Sequence, residues 1–284
     1  MAPSPVEGFE QQRKVLLGLA YRLLGSRADA EDVLQEAWVR WSSSSPPDNP
    51  AAWPRTVVTR LCLDELRSAR VRRESYVGPW LPEPVATTDG ALGPLDTAEL
   101  RDSLSLGFLL LLERLSPAER AVFVLREAFA LPYEEVAAAV GKSAPACRQL
   151  YGRARAKLGQ DEPVPSRAGR RDLLDRLLTA VASADVPGLT ALLADDAVLV
   201  SDGGGLVSAA RRPITGADKI ARFLIGIGTR VAAGVSMDEE EMNGAPCLVV
   251  RHGRQVTQVF AFDTDGVRVR ALQIVANPEK LSHL

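Results

Sequence analysis

A proline- and glycine-rich stretch in the first third of the chain is the feature that most constrains its fold. Residues 76–94 read YVGPWLPEPVATTDGALGP and hold four prolines and three glycines, a composition that interrupts regular helix. Apolar residues recur at helical spacing on both sides of this stretch. The chain is therefore predicted to fold as separate helical units joined by a partly extended linker over residues 76–105.

The pattern changes again after a second predicted linker at residues 161–169. A helix is predicted over Arg170–Ala184 and another in GADKIARFL, followed by strand-like runs such as CLVVRHG, RQVTQVFAFD and VRVRALQIVA. Helices followed by strands of this kind predict an α+β domain with a curved antiparallel sheet. The predicted fold is multidomain, with all-α domains at 1–75 and 106–160 and the α+β domain at 170–284.

The overall charge of the chain conceals a strong segregation of charge. The 34 basic and 36 acidic residues give a net charge of −2, which taken as an average disfavours nucleic-acid binding. Residues 29–36, however, hold four acidic residues and no basic one. Residues 55–73 hold six basic residues against two acidic ones, and residues 141–157 hold five basic residues and no acidic one. One acidic and two basic surfaces are therefore predicted.

Several classes of protein are disfavoured by the sequence. No run approaches the roughly 20 apolar residues that span a bilayer, and the first residues lack the pattern of a signal peptide. Cys62, Cys147 and Cys247 are scattered within apolar patterns, which predicts buried free thiols in a reducing compartment. A cytoplasmic protein with no membrane span, cofactor or metal site is predicted.

The helix predicted from about Arg27 to Trp41 carries the acidic surface. Ser26 precedes this helix and can cap it through its hydroxyl. Asp29, Asp32 and Glu36 are spaced i, i+3 and i+7, so they share one helix face. This face is either a solvated surface near a helix N-terminus, where the macrodipole favours anions, or a docking surface for a basic partner.

The next helix, predicted over about Ala51–Arg73, carries the first basic surface. Arg60 and Arg67 lie roughly opposite its apolar side at 100° per residue. Such arginines can bind phosphates while nearby aromatic rings stack with unpaired bases. The alternative is that the arginines are solvated and the tryptophans belong to the core. The tryptophans are Trp38, Trp41 and Trp53.

The second basic surface lies in a predicted helix-turn-helix within Leu115–Leu158. Ser116 with Glu119 forms a capping-box pattern, Gly141 permits a tight turn, and Ser143 can cap the last helix. A basic second helix after a tight turn is typical of a reader of the DNA major groove. An ordinary helical hairpin with a basic face is the alternative.

Taken together and in order, these segments resemble an extracytoplasmic-function sigma factor over about residues 9–160. The resemblance rests on AYRLLGSRADAEDVLQEAWVRW and AAWPRTVVTRLCLDELRSARVRRE in region 2, and on LSPAERAVFVLREAFALPYEEVAAAVGKSAPACRQLYGRARAKL in region 4. It implies a transcription initiation factor that binds core RNA polymerase and directs it to promoter DNA. A conventional helix-turn-helix regulator with a ligand-sensing C-terminal domain is the alternative.

The same resemblance implies roles for individual residues. The residues implied to bind the clamp helices of the polymerase β′ subunit are Asp29, Asp32, Gln35 and Glu36. Besides the loop at residues 42–50, the residues implied to melt and read the minus-10 element are Trp53, Arg55, Arg60 and Arg67. The residues implied to contact the minus-35 element are Lys142, Ser143, Arg148, Gln149 and Arg153.

Three further motifs resemble the sigma-factor subgroup that carries a fused SnoaL-like domain. This resemblance implies a cone of curved antiparallel sheet with helices packed inside, which acts in place of a separate anti-sigma factor. A lysine commonly follows DGGG in the subgroup, whereas Leu206 stands here. The implied regulatory contact residues are those of WLPEP (Trp80, Leu81, Pro82, Glu83 and Pro84), DGGG (Asp202, Gly203, Gly204 and Gly205) and NPEKL (Asn277, Pro278, Glu279, Lys280 and Leu281).

The SnoaL-like fold also includes enzymes, so catalysis is the alternative to a regulatory role for this domain. Residues 161–284 contain no tyrosine and no tryptophan, and His252 lies in a predicted hairpin turn. Aspartates beside glycines are more typical of turns than of catalytic bases. We therefore predict no catalytic residue and a regulatory domain that contacts the WLPEP motif.

Overall fold

The computed structural model describes residues 5–43, 49, 52–88, 90, 92–93, 98–159, 167–229 and 234–284. The chain divides into two compact units. The first unit consists of Met1–Glu74, Thr87–Leu104 and Phe108–Gln160. The second unit consists of Ser75–Ala86, Ser105–Gly107 and Asp161–Leu284.

Eight helices lie within the described part of residues 5–158, interrupted by the non-helical stretch from Ser75 onwards. In chain order they are α1 (Pro5–Leu24), α2 (Arg27–Ser43), α3 (Trp53–Glu74), α4 (Ala98–Asp102), α5 (Leu106–Leu112), α6 (Pro117–Glu127), α7 (Tyr133–Val140) and α8 (Ala144–Leu158). Local signals in the sequence explain several of these boundaries. The amide of Asp29 donates to the Ser26 hydroxyl at 3.1 Å, which satisfies an otherwise unpaired amide at the start of α2.

The helix-turn-helix forms as the sequence predicts. Both hydrogen bonds of the Ser116–Glu119 capping box are present at the start of α6. Gly141 ends α7 in the left-handed conformation at φ 67°, and the Ser143 hydroxyl accepts from the Ala146 amide to cap α8. The buried side of α8 contains Cys147, Leu150 and Ala154, so its basic residues remain on the opposite side.

The second unit combines helices with one open six-stranded sheet. Its elements are α9 (Arg167–Ala182), α10 (Val186–Leu192), β1 (Leu193–Asp202), β2 (Ile214–Thr215), α11 (Ala217–Gly228), β3 (Val235–Met242), β4 (Ala245–His252), β5 (Gln255–Thr264), β6 (Val269–Val275) and α12 (Pro278–Leu281). The strand order is β2-β1-β6-β5-β4-β3, so β2 and β3 form the edges. Helices α9 and α11 contact each other and also pack against β4 and β1, respectively.

The sheet is antiparallel, as predicted, at every pair except β1 and β6. These two strands run parallel, from Leu193 beside Val269 to Asp202 beside Val275. A parallel pair needs a long crossover connection, and here β2, α11 and β3–β5 supply it. The acidic strand β3 was not predicted, because its sequence VSMDEEEM lacks an apolar alternation.

The core of the second unit lies between its helices and one face of the sheet. Helix α11 buries Ala217, Ile220, Ala221 and Leu224 at the i, i+3, i+4 and i+7 spacing of one helix face. Leucines of α9 and residues such as Leu248 and Phe262 of the sheet complete this core. The three cysteines are free and buried, as the sequence predicts.

Candidate nucleic-acid interface and WLPEP-binding site

The acidic face of α2 is open to solvent. Asp32, Gln35 and Glu36 are exposed, and Asp29 is half-buried beside the helix cap. Glu36 forms an exposed ion pair with Arg40 at 2.8 Å, one helical turn away. Such a pair is weak and rearranges readily in water, so the carboxylate remains available to a cationic partner.

Trp53 lies among other aromatic side chains and is half-buried. Its ring centroid is 5.2 Å from that of Trp41, and Phe9 lies 5.3 Å from Trp38, both in tilted arrangements. These contacts fit the core interpretation of the tryptophans as well as an interface interpretation. Residues 44–48 and 50 of the predicted minus-10 loop lie outside the described residues.

The three candidate arginines of α3 have different surroundings. Arg67 is exposed and pairs with Asp64 at 2.6 Å, while Arg55 is half-buried. Arg60 donates to the backbone carbonyls of Ala138 and Ala139, at 2.9 and 3.4 Å. These carbonyls lie in the last turn of α7, where the helix dipole favours a cation. Arg60 therefore joins α3 to the helix-turn-helix within the first unit.

The outer side of α8 presents the candidate minus-35 residues together. Arg148 lies over the ring of Tyr133, with its guanidinium carbon 5.0 Å from the ring centroid. It also lies 3.5 Å from the carboxylate of Glu134. The candidates that share this exposed surface are Lys142, Ser143, Arg148, Gln149 and Arg153.

A partly buried ion-pair cluster in the first unit was not predicted from the sequence. The carboxylate of Glu113 pairs with both Arg73 of α3 and Arg120 of α6. Arg120 is only 2% exposed and also donates to the backbone carbonyl of Arg22 at 3.2 Å. Burial lowers the pKa of Arg73, and the Glu113 carboxylate opposes this effect. The cluster therefore joins residues that are far apart in sequence.

The WLPEP segment, which we define as Ser75–Ala86, belongs to the second unit and contacts the carboxylate of Asp202. One carboxylate oxygen accepts from the Tyr76 hydroxyl at 2.7 Å and from the Gly204 amide at 3.0 Å. The other accepts from the Leu81 amide at 2.8 Å and from the Lys280 ammonium at 2.7 Å. Asp202 is 1% exposed, so these donors replace water around a buried charge.

Lys280 completes this site from α12. Its ammonium donates to the carbonyl of Leu81 and lies 4.2 Å from the centroid of the Trp80 ring. It also lies 5.0 Å from the centroid of the Tyr76 ring, so two aromatic faces contact one buried cation. Trp80 is half-buried.

Tyr76 links the WLPEP segment to the NPEKL motif. The Asn277 side-chain amide donates to the Tyr76 hydroxyl at 2.9 Å, while that hydroxyl donates to Asp202. Burial raises the pKa of Tyr76, and the hydrogen bond to Asp202 raises it further. Tyr76 therefore stays protonated and acts as a donor.

The second half of the WLPEP segment is bound mainly through its backbone. Val85 exchanges two hydrogen bonds with Asn243: its amide donates to the side chain at 2.9 Å, and its carbonyl accepts from the backbone amide at 2.8 Å. His283 contacts the carbonyl of Pro84 at 2.9 Å. Leu81, Pro82, Glu83 and Pro84 are buried. Tyr76, Asn243 and His283 lie outside the three motifs and were not predicted.

The glycines of DGGG allow a close approach of this loop to its neighbours. Gly204 and Gly205 have positive φ angles of 61° and 76°, which favour glycine. A Cβ atom on Gly204 would overlap the side-chain amide of Asn277. The side chain of Leu206 is 60% exposed. The ion pair with Asp202 is thus made by Lys280 rather than by the residue after the motif.

Asp263 and His252 lie on strands β5 and β4 of the second unit. Asp263 is hydrogen-bonded to Gln273 at 2.7 Å, and burial raises the pKa of this carboxyl group. His252 lies at the end of β4, opposite Gln255 across a two-residue turn, as predicted. Within the described ranges, no group of three or more histidines, cysteines or acidic residues is arranged to hold a metal ion.

No helix in the described part of the chain is long and apolar enough to cross a bilayer.

Two family models match the helical part of the chain. Residues 9–72 match the family described as Sigma-70 region 2, and residues 105–158 match Sigma-70, region 4. The ECF RNA polymerase sigma factor SigJ of Mycobacterium tuberculosis (strain ATCC 25618 / H37Rv) is 42% identical to this chain over an alignment of 303 positions, gaps included. The alignment covers 98% of this chain and 93% of SigJ.

Two further comparisons cover nearly the whole chain. The probable ECF RNA polymerase sigma factor SigI of Mycobacterium tuberculosis (strain CDC 1551 / Oshkosh) is 30% identical over 97% of this chain and 94% of SigI. The crystal structure of Mycobacterium tuberculosis SigJ superimposes with a TM-score of 0.78 and 35% identity, covering 98% of both chains.

Proposed function

This chain belongs to the extracytoplasmic-function sigma factors with a C-terminal SnoaL-like domain, and we propose a separate role for each of its surfaces. The chain is a transcription initiation factor that works with core RNA polymerase and promoter DNA, as its family does. The relatives do not favour the alternative of a conventional helix-turn-helix regulator. A cytoplasmic location, where the polymerase works, and the three-domain division are parts of the proposal.

The acidic face of α2 is proposed to bind the clamp helices of the β′ subunit. The supporting observation is that Asp32, Gln35 and Glu36 are exposed side by side. An exposed acidic surface near a helix N-terminus accelerates and orients binding to a basic partner.

The test of this contact is binding to core polymerase. The double variant Asp32→Lys/Glu36→Lys is expected to lower affinity for core polymerase at least tenfold. A matched control is Asp172→Lys/Asp175→Lys, which makes the same change of charge on exposed positions of α9. Equal affinity of both variants would contradict the assignment.

The exposed side of α8 is proposed to read the minus-35 element. Arg148 and Gln149 are the candidates for base edges, since both side chains are exposed near the N-terminal half of the helix. Lys142, Ser143 and Arg153 are the candidates for phosphate contacts.

Run-off transcription with holoenzyme separates these two roles. Arg148→Ala is expected to relax discrimination between promoter variants, whereas Lys142→Ala weakens binding to all of them and reduces the salt dependence. Arg222→Ala, at an exposed arginine of α11, is the control for loss of charge. Tight binding of the free protein to duplex DNA without polymerase would favour the conventional-regulator alternative.

Region 2 is proposed to act at the minus-10 element through α3, with Trp53, Arg55, Arg60 and Arg67 as contact residues. In the structure, Arg60 donates hydrogen bonds to backbone carbonyls of α7. Arg60 can bind a DNA phosphate only after these hydrogen bonds break. We therefore propose that polymerase binding separates α3 from α7. A disulfide between cysteines introduced at Arg60 and Ala138 is expected to block open-complex formation. Reduction should restore the activity only to that of the single variant Arg60→Cys, because the substitution itself removes a proposed contact.

The SnoaL-like domain is proposed to regulate the sigma factor in cis, in place of a separate anti-sigma factor. The observation that supports this is the burial of the WLPEP segment against Asp202 and Lys280. A bound segment has lost the freedom of a flexible linker, which restricts the separation that regions 2 and 4 can reach.

The test is promoter-dependent transcription by a variant that releases the segment. Lys280→Met in the full chain is expected to change run-off transcription severalfold at constant protein and polymerase concentrations. Lys219→Met, at an exposed lysine of α11, is the control. Transcription that stays the same although the segment has become mobile would contradict regulation in cis.

A further inference from the structure

A cavity of about 310 Å³ lies within the second unit, between its helices and the sheet. Leu177 and Val181 of α9 line one side, and Val250, Phe260 and Phe262 of the sheet line the other. This volume is at the lower end of the roughly 300–1,000 Å³ that ligand pockets enclose. The cavity is therefore large enough for a small organic molecule.

The chemistry of the cavity wall is almost entirely apolar. No acidic or basic residue and no histidine is among the described residues that line it. Apart from backbone groups, Thr257 and Gln258 supply its polar atoms. The Thr257 hydroxyl already donates to the carbonyl of Val250 at 3.1 Å.

Gln258 is therefore the polar group that a bound molecule would meet. This residue of β5 is half-buried. Its side-chain amide makes no hydrogen bond to other groups in the described ranges of the chain. A partly buried amide gains free energy when a ligand supplies a donor or an acceptor.

We propose that this cavity binds a small, uncharged and largely apolar molecule whose single hydroxyl or carbonyl group hydrogen-bonds to Gln258. A charged group is disfavoured, because a buried carboxylate or ammonium is costly without an ionic partner. The cavity binds without turnover, since its wall offers no side chain that could serve as a general base. Ligand binding in this cavity does not depend on the promoter contacts proposed for α3 and α8.

Binding is tested on the full chain with N-phenyl-1-naphthylamine, an uncharged apolar fluorophore. Its fluorescence is expected to rise in a saturable manner with one site per chain. 1-Decanol should displace the fluorophore at a concentration at least tenfold lower than decanoate at pH 8, where decanoate is anionic. No saturable binding, or equal displacement by the two competitors, would overturn the proposal.

Cavity-filling variants establish where the probe binds. Val250→Phe and Val181→Phe place a ring in the cavity and are expected to weaken probe binding at least tenfold. Val267→Phe makes the same change at a position that is 73% exposed and should leave probe binding unchanged. Two variants are used because Val250 is buried and its replacement can impair folding; circular dichroism identifies a variant that does not fold. Full binding by a folded variant with a filled cavity would overturn the location.

Gln258→Leu tests the polar contact at nearly constant volume. In the original chain, 1-decanol is expected to displace the fluorophore at a lower concentration than 1-methoxydecane, its methyl ether, which lacks the hydroxyl donor. The variant should bind the fluorophore as before but lose at least threefold of this preference. An unchanged preference in the variant would remove Gln258 from the proposal.

Discussion

The Lys280 ammonium lies 2.7 Å from a carboxylate oxygen of Asp202, and both side chains are almost completely buried. The pair joins α12 to the end of β1, and the carboxylate also accepts the amide of Leu81. Removing one partner of a buried pair leaves the other charge uncompensated, which costs about 3–5 kcal/mol. We therefore expect the loss of this ion pair to weaken the binding of the WLPEP segment.

Lys280→Met is expected to release the WLPEP segment. The amides of Leu81 and Val85, which donate to Asp202 and Asn243, should then exchange with deuterium at least tenfold faster. Exchange measured by mass spectrometry over residues 75–86 checks this. The exposed Lys219→Met should leave the exchange unchanged, and equal protection in both variants would contradict the role of the ion pair.

Gly204→Ala is expected to disrupt the same site from the DGGG side. The added Cβ would overlap Asn277, and the positive φ of 61° is unfavourable for alanine. We expect a destabilisation of about 1–3 kcal/mol, measured by chemical denaturation. Gly226→Ala is the matched control, because a Cβ there meets no atom within 4 Å and alanine favours the helix. Equal stability of the two variants would show that the loop has room to adjust.

Glu119 is expected to make the helix-turn-helix sensitive to acid. Burial favours the neutral form of this carboxyl group, but hydrogen bonds from Lys157 and Ser116 outweigh burial and lower its pKa from 4.5 to about 2. A lowered pKa in the folded state stabilises the protein above the unfolded pKa, and this contribution is lost as the pH falls from about 4.5 towards 2.

The comparison of the original chain with Glu119→Gln measures this contribution. Because Lys157 is half-exposed, we expect a difference of about 1–2 kcal/mol at pH 6 that shrinks as the pH approaches 3. Chemical denaturation at each pH provides the free energies of unfolding. A difference that stays constant with pH would exclude the carboxylate charge as its source.

Glu113→Gln is expected to destabilise the first unit. The substitution removes the anionic partner of Arg73 and of Arg120. Because Arg120 is buried, we expect the free energy of unfolding to fall by about 3–5 kcal/mol. Glu135→Gln, at an exposed position of α7, controls for the loss of a negative charge and should change stability by less than about 0.5 kcal/mol. Chemical denaturation of the two variants measures both effects. Equal denaturation midpoints would contradict a stabilising role for Glu113.

The local elements of the fold could be predicted because their signals lie within a few residues of each other. The Ser116–Glu119 capping box and the turn at Gly141 are examples, and the structure confirms both. Strand β3 was not predicted because it contains three consecutive glutamates, which do not show the alternation of apolar and polar residues typical of a strand. It is an edge strand, where charged side chains are favourable, and its Glu240 pairs with Arg251 of β4.

The candidate sites were predictable only as sets of residues. The resemblance suggested that WLPEP, DGGG and NPEKL belong together, but not that Lys280 and Asp202 form a pair, because 78 residues separate them. The partners of Tyr76, Asn243 and Arg60 could not be predicted for the same reason, because tertiary packing sets them. The roles proposed for α2, α3 and α8 rest on exposure and resemblance, and they stay predictions.

The long separation in sequence between the WLPEP segment and Lys280 affects the order in which contacts can form during translation. Lys280 follows Leu81 by 199 residues, which the ribosome adds in about 10–40 s at 5–20 residues per second. Helices α1–α3, by contrast, need only residues that are already made. The WLPEP segment therefore leaves the ribosome long before β6 and α12 exist to hold it. Each newly made molecule begins with this segment unrestrained and becomes restrained only when the last strand joins the sheet.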